Sequence, residues 1–173
     1  KYTSLIRKSI LKESNGKDNS IPFREIVEFS KQNTIINAEI NINNNLKWKN
    51  RLQWSRVEVE NSESRGFLIS TGLNYRNEKV GLQCGFHLFD ADNIENRQYV
   101  YLNSLPYAYQ YGGFQNKGSN VNAAANLYIN SNTLLSVSFT QTVYDNVNES
   151  GVGVDKITGN RRTDVGAQLI LNF

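Results

Sequence analysis

The chain has 173 residues, enough for one substantial domain, and carries 19 Lys and Arg against 16 Asp and Glu for a net charge of +3. No uninterrupted apolar run approaches the ~20 residues that a spanning helix needs, which excludes a helical membrane span but leaves open a barrel, whose strands need apolar residues only at alternate positions. The single cysteine, Cys84, excludes an internal disulfide and a thiolate metal cluster.

Residues 1–33 form a poorly defined strand or loop region. The chain opens KYTSL, with neither an initiator Met nor a signal-peptide pattern. The expectation is a processed product or the C-terminal part of something longer. YTSLIRKSIL reads as a strand or strand end, NGKDNS (15–20) as a loop, and IPFREIVEF as a bulged strand or a short turn of helix.

Residues 34–173 read as antiparallel transmembrane β-barrel strands. TIINAEINI puts Ile36, Ala38, Ile40 and Ile42 on one face and Asn37, Glu39 and Asn41 on the other. NNN (43–45) is a turn. LKWKNRLQWSRVEVE (46–60) sets Leu46, Trp48, Leu52 and Trp54 against Lys47, Lys49 and Arg51. That basic stripe reads as a polar lumen wall in preference to a nucleic-acid patch. Val57 and Val59 reverse the parity of Trp54, which predicts a bulge or the end of the lipid-facing stretch near Ser55.

GFLISTGLNYR (66–76) and VGLQCGFHLF (80–89) form a hairpin about Asn77-Glu78. Cys84 shares an apolar face with Phe86 and Leu88. DADNIEN (90–96) is a connection; its Asp90, Asp92 and Glu95 lack EF-hand spacing and read as a capped turn rather than a calcium site. RQYVYLN (97–103) reads as a further aromatic strand, made irregular downstream by Pro106. GGFQNKG (112–118) is a loop. NVNAAANLYI (120–129) and TLLSVSFTQTVY (133–144) alternate cleanly about a turn at 130–132. A long connection (145–163) precedes the last strand, TDVGAQLILNF, in which Val165, Ala167, Leu169, Leu171 and Phe173 alternate with polar residues except at Ile170.

The fold class that follows is all-β, a transmembrane antiparallel β-barrel with about 8 to 10 strands in this chain, either complete or the C-terminal part of a larger barrel. Trp48, Trp54, Tyr75, Tyr99, Tyr101, Tyr109, Tyr111, Tyr128 and Tyr144 lie near strand ends, the placement of interfacial girdles. A soluble sandwich or calycin-like barrel would bury the same apolar faces. Its water-facing side would carry more charge than these Asn-, Ser-, Thr- and Gln-rich faces do.

Four blocks also carry a resemblance. They are Phe89, Asp90, Asp92, Asn96, Arg97, Tyr99 and Tyr101; the loop from Tyr111 to Ser119; Gln141 to Tyr144; and Gly151 to Val165. Over 86–173 the chain resembles the C-terminal part of the Bacteroidetes outer-membrane β-barrel proteins of the helix-hairpin-helix, ComEA-related group. The resemblance implies a Gram-negative outer-membrane location. It also implies that Phe173, supported by Leu171 and Leu169, resembles the signal read by the barrel-assembly machinery. The helix-hairpin-helix part would lie N-terminal to these residues.

No catalytic constellation, metal set or cofactor motif stands out. His87, the only histidine, reads as a solvated lumen residue. Glu39, Lys47, Lys49, Arg51, Gln53, Asn74, Arg76, Gln83, His87, Asn122 and Asn126 form the inward set that would line a lumen. Gly151, Gly153, Asp155, Gly159, Arg161, Arg162 and Asp164 read as a structured loop; no phosphate-loop pattern is present. The functional expectation is a non-enzymatic outer-membrane barrel acting as a pore or membrane anchor. Its partners would be membrane lipids, lipopolysaccharide and, during insertion, the assembly machinery, with no nucleic acid. The alternatives are a subunit of an outer-membrane secretion, assembly or nutrient-uptake complex and, last, a hydrolase.

Overall fold

Alternation of period two dominates the sequence, and strands dominate the fold. The computed structural model describes residues 10–13, 24–27, 29–59, 62–145, 147, 149–150 and 157–172. The strands are β1 (Ile10–Glu13), β2 (Arg24–Val27), β3 (Phe29–Asn41), β4 (Leu46–Val59), β5 (Ser62–Arg76), β6 (Val80–Ala91), β7 (Gln98–Leu102), β8 (Gln110–Phe114), β9 (Asn116–Asn130), β10 (Thr133–Tyr144), β11 (Glu149–Ser150), β12 (Ile157–Thr158) and β13 (Arg161–Leu171). One 3₁₀ turn, Ile94–Asn96, precedes β7.

Seven strands form one antiparallel sheet in the order β13-β10-β9-β6-β5-β4-β3. The pairs β1-β2, β7-β8 and β11-β12 are separate two-stranded ribbons. The all-β antiparallel expectation therefore holds. The described residues do not close into a barrel: β3 and β13 are the two edges of an open sheet.

The short turns are set by asparagine. Asn43 Oδ1 accepts from the backbone N–H groups of Asn45 and Leu46, both at 2.9 Å. Asn77 Oδ1 accepts from Lys79 and Val80 at 2.9 and 2.7 Å, and Asn130 Oδ1 from Asn132 at 2.9 Å. Each side chain mimics a backbone turn and joins neighbouring strands with few residues. All three turns lie at one end of the sheet. The longer connections, before β9 and before β13, lie at the other.

Of the two alternatives near Ser55, the bulge is absent: β4 keeps unbroken register with β3 and β5 from end to end. The outward apolar run ends at Trp54, and strand parity turns Val57 inward, where it is fully buried. The segment at 97–103, expected as a further strand of the main sheet, does not join it. Its five-residue β7 pairs only with β8, and the hairpin lies across one face of the sheet. The expected 8 to 10 strands are thereby reduced to seven in the main sheet of the described residues.

The apolar core is small and joins hairpin to sheet. Leu68 and Phe89 from the sheet pack against Val100 and Phe114 from the hairpin, with Leu102 and Tyr144 alongside. Phe89 and Phe114 stack with centroids 4.4 Å apart, and Tyr144 meets Phe89 edge-on at 5.7 Å.

Candidate functional site

The two faces of the seven-stranded sheet have opposite chemistry. The face covered by the β7-β8 hairpin is called inner here. Among the described residues, eleven buried side chains are polar and seven are apolar, the reverse of a water-soluble core. The outer face carries the large apolar side chains, uncovered. Register aligns them strand by strand. Ile36 and Ile40 of β3 sit beside Leu52 and Trp48 of β4, which sit beside Ile69 and Leu73 of β5. Leu82, Phe86 and Leu88 of β6 continue the surface to Val121 and Leu127 of β9. Leu135, Val137 and Phe139 of β10 pair with Leu169, Ala167 and Val165 of β13.

Among the described strand residues, outward charge is confined to one end. Arg56, Glu58, Glu63, Arg65, Asp90, Lys117 and Arg161 all follow the apolar run of their strand toward the long-connection end. Arg56 bonds Glu58 at 2.6 Å and Glu63 at 2.9 Å, and Arg65 bonds Glu63 at 2.8 Å. Within the apolar zone, the outward polar groups Asn50 and Thr71 satisfy each other. Thr71 Oγ1 donates to Asn50 Oδ1 and accepts from Trp48 Nε1, both at 2.9 Å. Small side chains at Cys84, Ala123 and Ala125 leave an apolar trough of about 620 Å³ bordered by Leu73, Leu82, Val137 and Phe139.

The proposed girdle residues divide three ways. Trp48 and Tyr75 lie outward near the turn end and Trp54 outward near the other, the two tryptophans ~20 Å apart along β4 at ~3.3 Å per residue. Tyr128 and Tyr144 face inward: Tyr128 lies under the Arg76 guanidinium at 5.7 Å and Tyr144 packs on Phe89. Tyr99, Tyr101, Tyr109 and Tyr111 belong to the hairpin segment, not to the wall. Interfacial placement is thus corrected for these six, because strand-end position in sequence does not fix which face a side chain takes.

The proposed lumen residues all share the inner face, but His87 is buried there beneath the hairpin and not solvated as expected, because Phe114 and Asn122 pack against its ring. Glu39 lies 3.7 Å from Lys47 Nζ and 3.6 Å from Lys49 Nζ. Arg51 Nη2 donates to Gln53 Oε1 at 2.8 Å. Gln83 aligns with Asn74, and Asn126 with Gly81. Asn122 organises the centre. Its Oδ1 accepts from the Asn103 backbone at 3.0 Å, so its amide nitrogen is directed to His87 Nε2 at 2.8 Å and Asn120 Oδ1 at 3.1 Å. Asn120 continues the chain to Thr142 Oγ1 at 2.8 Å. Accepting through Nε2 places the proton of a neutral His87 on Nδ1.

The hairpin is anchored by a second buried polar network that the sequence reading did not anticipate. Ser55 donates to Asn96 Oδ1 at 2.9 Å, Asn96 Nδ2 to Ser64 Oγ at 2.6 Å, and Gln98 Nε2 to Ser55 Oγ at 2.7 Å and Asn96 O at 2.6 Å. Asn96 and Gln98 are both fully buried. Gly66 makes the room: a Cβ there would stand 2.1 Å from Gln98 Nε2 and 2.6 Å from Asn96 O. QYVYL itself carries no signal of this; the cue in the sequence is Pro106, which cannot donate to a ladder and stands four residues past Leu102.

At the chain end, Leu169 and Leu171 face outward and exposed on β13. Phe173 lies outside the described residues, as do Gly151, Gly153 and Asp155. Gly159 adopts φ +116° in the turn after β12. Arg161 faces outward, while Arg162 and Asp164 face inward and bond at 3.2 Å. Asp90 and Asp92 are not brought together on one face: Asp90 is outward, and Asp92 Oδ2 accepts from the Arg65 backbone at 2.7 Å. No helix among the described residues is long and apolar enough to cross a membrane. No protein-family model, curated protein or solved structure matches this chain.

Proposed function

We propose that this chain is lipid-embedded wall of an outer-membrane β-barrel, non-enzymatic, acting as a pore or membrane anchor. The observation that carries the reading is the reversal of the sheet: apolar side chains uncovered outside, polar side chains buried inside. A large apolar side chain left wholly in water forgoes about 1.5–3 kcal/mol of burial, and most of the outward ones are about half exposed, so each forgoes about half of that. Over the outward set this reaches the order of tens of kcal/mol, beyond the net stability of a typical domain. Lipid removes that cost. The alternating chemistry, the outward tryptophans at two levels and the charge beyond them fit a bilayer slab.

The open edges refine the proposal. Unpaired N–H and C=O groups along β3 and β13 cannot be satisfied by hydrocarbon. The barrel therefore includes further strands that pair with both edges, as the resemblance to larger Bacteroidetes outer-membrane barrels implies. Insertion would use the barrel-assembly machinery, with Phe173, Leu171 and Leu169 as its signal, and lipids and lipopolysaccharide would cover the outer face.

Quenching of tryptophan fluorescence by brominated lipids tests this. In vesicles, the Trp48→Phe and Trp54→Phe variants each retain one outward tryptophan, and both are expected to be quenched. A protein that stays in the aqueous fraction, or tryptophans blind to the bromines, would overturn the reading.

A further inference from the structure

The β7-β8 hairpin has two faces. Gln98, Val100 and Phe114 are buried against the wall, while Tyr99, Tyr101 and Tyr111 project away from it. Tyr99 and Tyr111 stack at 5.3 Å, and Tyr101 meets Tyr111 edge-on at 4.9 Å. Opposite them lies the inner surface of β3-β5. A cavity of about 400 Å³ lies between Tyr101, with Val100 and Leu102 beside it on β7, and the inner-face residues Glu39, Lys49 and Arg51. The tyrosine side is held against the sheet by the Phe89–Phe114 contact and the Asn96–Gln98 network.

The charge on the opposite side is one-sided. Lys47, Lys49 and Arg51 stand at alternate positions of β4, and among the described residues Glu39 is the carboxylate paired with the two lysines. Glu39 neutralises one of these three charges. Arg76 adds a further cation near the same turn end. A narrow, low-dielectric passage focuses such a field and raises the local concentration of counter-ions.

We infer that the hairpin narrows the lumen to a passage between Tyr101–Tyr111 and the Lys47–Lys49–Arg51 stripe, and that this passage selects small anions. The tyrosine phenols offer O–H donors, and the basic stripe supplies the attraction. The inference rests on the lipid-facing reading and adds selectivity to it.

The test is the reversal potential of the full protein in planar bilayers across a KCl gradient, with potassium gluconate as a second, bulkier anion. Chloride is expected to permeate severalfold better than potassium, and gluconate less well than chloride. Lys49→Glu together with Lys47→Glu should invert the preference, and Glu39→Gln should strengthen it. Replacing 98–114 by a short Gly-Ser linker should raise conductance and let gluconate pass as readily as chloride. A cation-preferring channel, a reversal potential blind to both lysine substitutions, or no current from protein whose tryptophans are quenched by brominated lipid would overturn the inference. That last result leaves the lipid-facing reading intact, whereas loss of quenching removes the reading itself.

Discussion

Phe89 and Phe114 lie face to face, 4.4 Å between centroids and 5° from parallel, and this contact ties the hairpin to the wall. Phe89 belongs to a strand whose other face is uncovered and apolar. One residue therefore separates the chemistry of an outer surface from that of a packed interior.

Phe114→Ala should loosen the hairpin without opening the sheet. The lost stack and the cavity left beside Leu68 and Val100 cost about 3 kcal/mol. Hydrogen exchange should accelerate in 98–114 while β4, β5 and β6 stay protected. Equal acceleration in the wall would show that hairpin and sheet unfold as one unit.

Gly66→Ala should displace the same hairpin from its anchored end. The new methyl would meet Gln98 Nε2, the Asn96 carbonyl at 2.6 Å and Ser55 Oγ at 2.7 Å. A side-chain tip can swing aside, but a backbone carbonyl carries the 3₁₀ turn with it. The expected destabilisation is about 2 kcal/mol, read as protease sensitivity around Asn96. Unchanged sensitivity would mean that the turn relaxes freely.

Asn122→Ala should cost about 1–3 kcal/mol, since it leaves His87, Asn120 and the Asn103 N–H short of a buried partner. Denaturant unfolding in detergent measures it. Asn122→Asp should be worse at neutral pH, because a carboxylate cannot donate to His87 or Asn120. An aspartate variant as stable as the parent would contradict this hydrogen-bond assignment.

Outward and inward substitutions should differ sharply. Phe86→Arg places a charge in the middle of the apolar face and should weaken folding into vesicles by about 2–4 kcal/mol. Gln83→Arg, three residues away on the inner face, should be nearly neutral. If the two variants insert alike, the assignment of faces is wrong.

Much of the wall was legible because period-two alternation is local. Ile36 to Ile42, Leu82 to Leu88 and Val165 to Leu171 each declare a face within a few residues. Asn43, Asn77 and Asn130 declare the turns by the same local logic. The hairpin was not legible, because QYVYL alternates as a wall strand does. Only tertiary contacts send it inward: the space at Gly66, the Ser55 and Ser64 hydroxyls, and the Phe89 ring. The aromatic residues misled for a related reason. Tyr128 and Tyr144 occupy strand ends as Trp48 and Trp54 do, but parity turns them to the inner face, where Arg76 and Phe89 receive them.

Cys84 reports on the proposed contact of the outer face with lipid without any engineered cysteine. It is the only cysteine in the chain, outward and exposed between Leu82 and Phe86. A nitroxide attached there, in protein reconstituted into vesicles, should collide frequently with oxygen and rarely with a water-soluble nickel chelate. Frequent collision with the chelate, as for a label in water, would contradict the account.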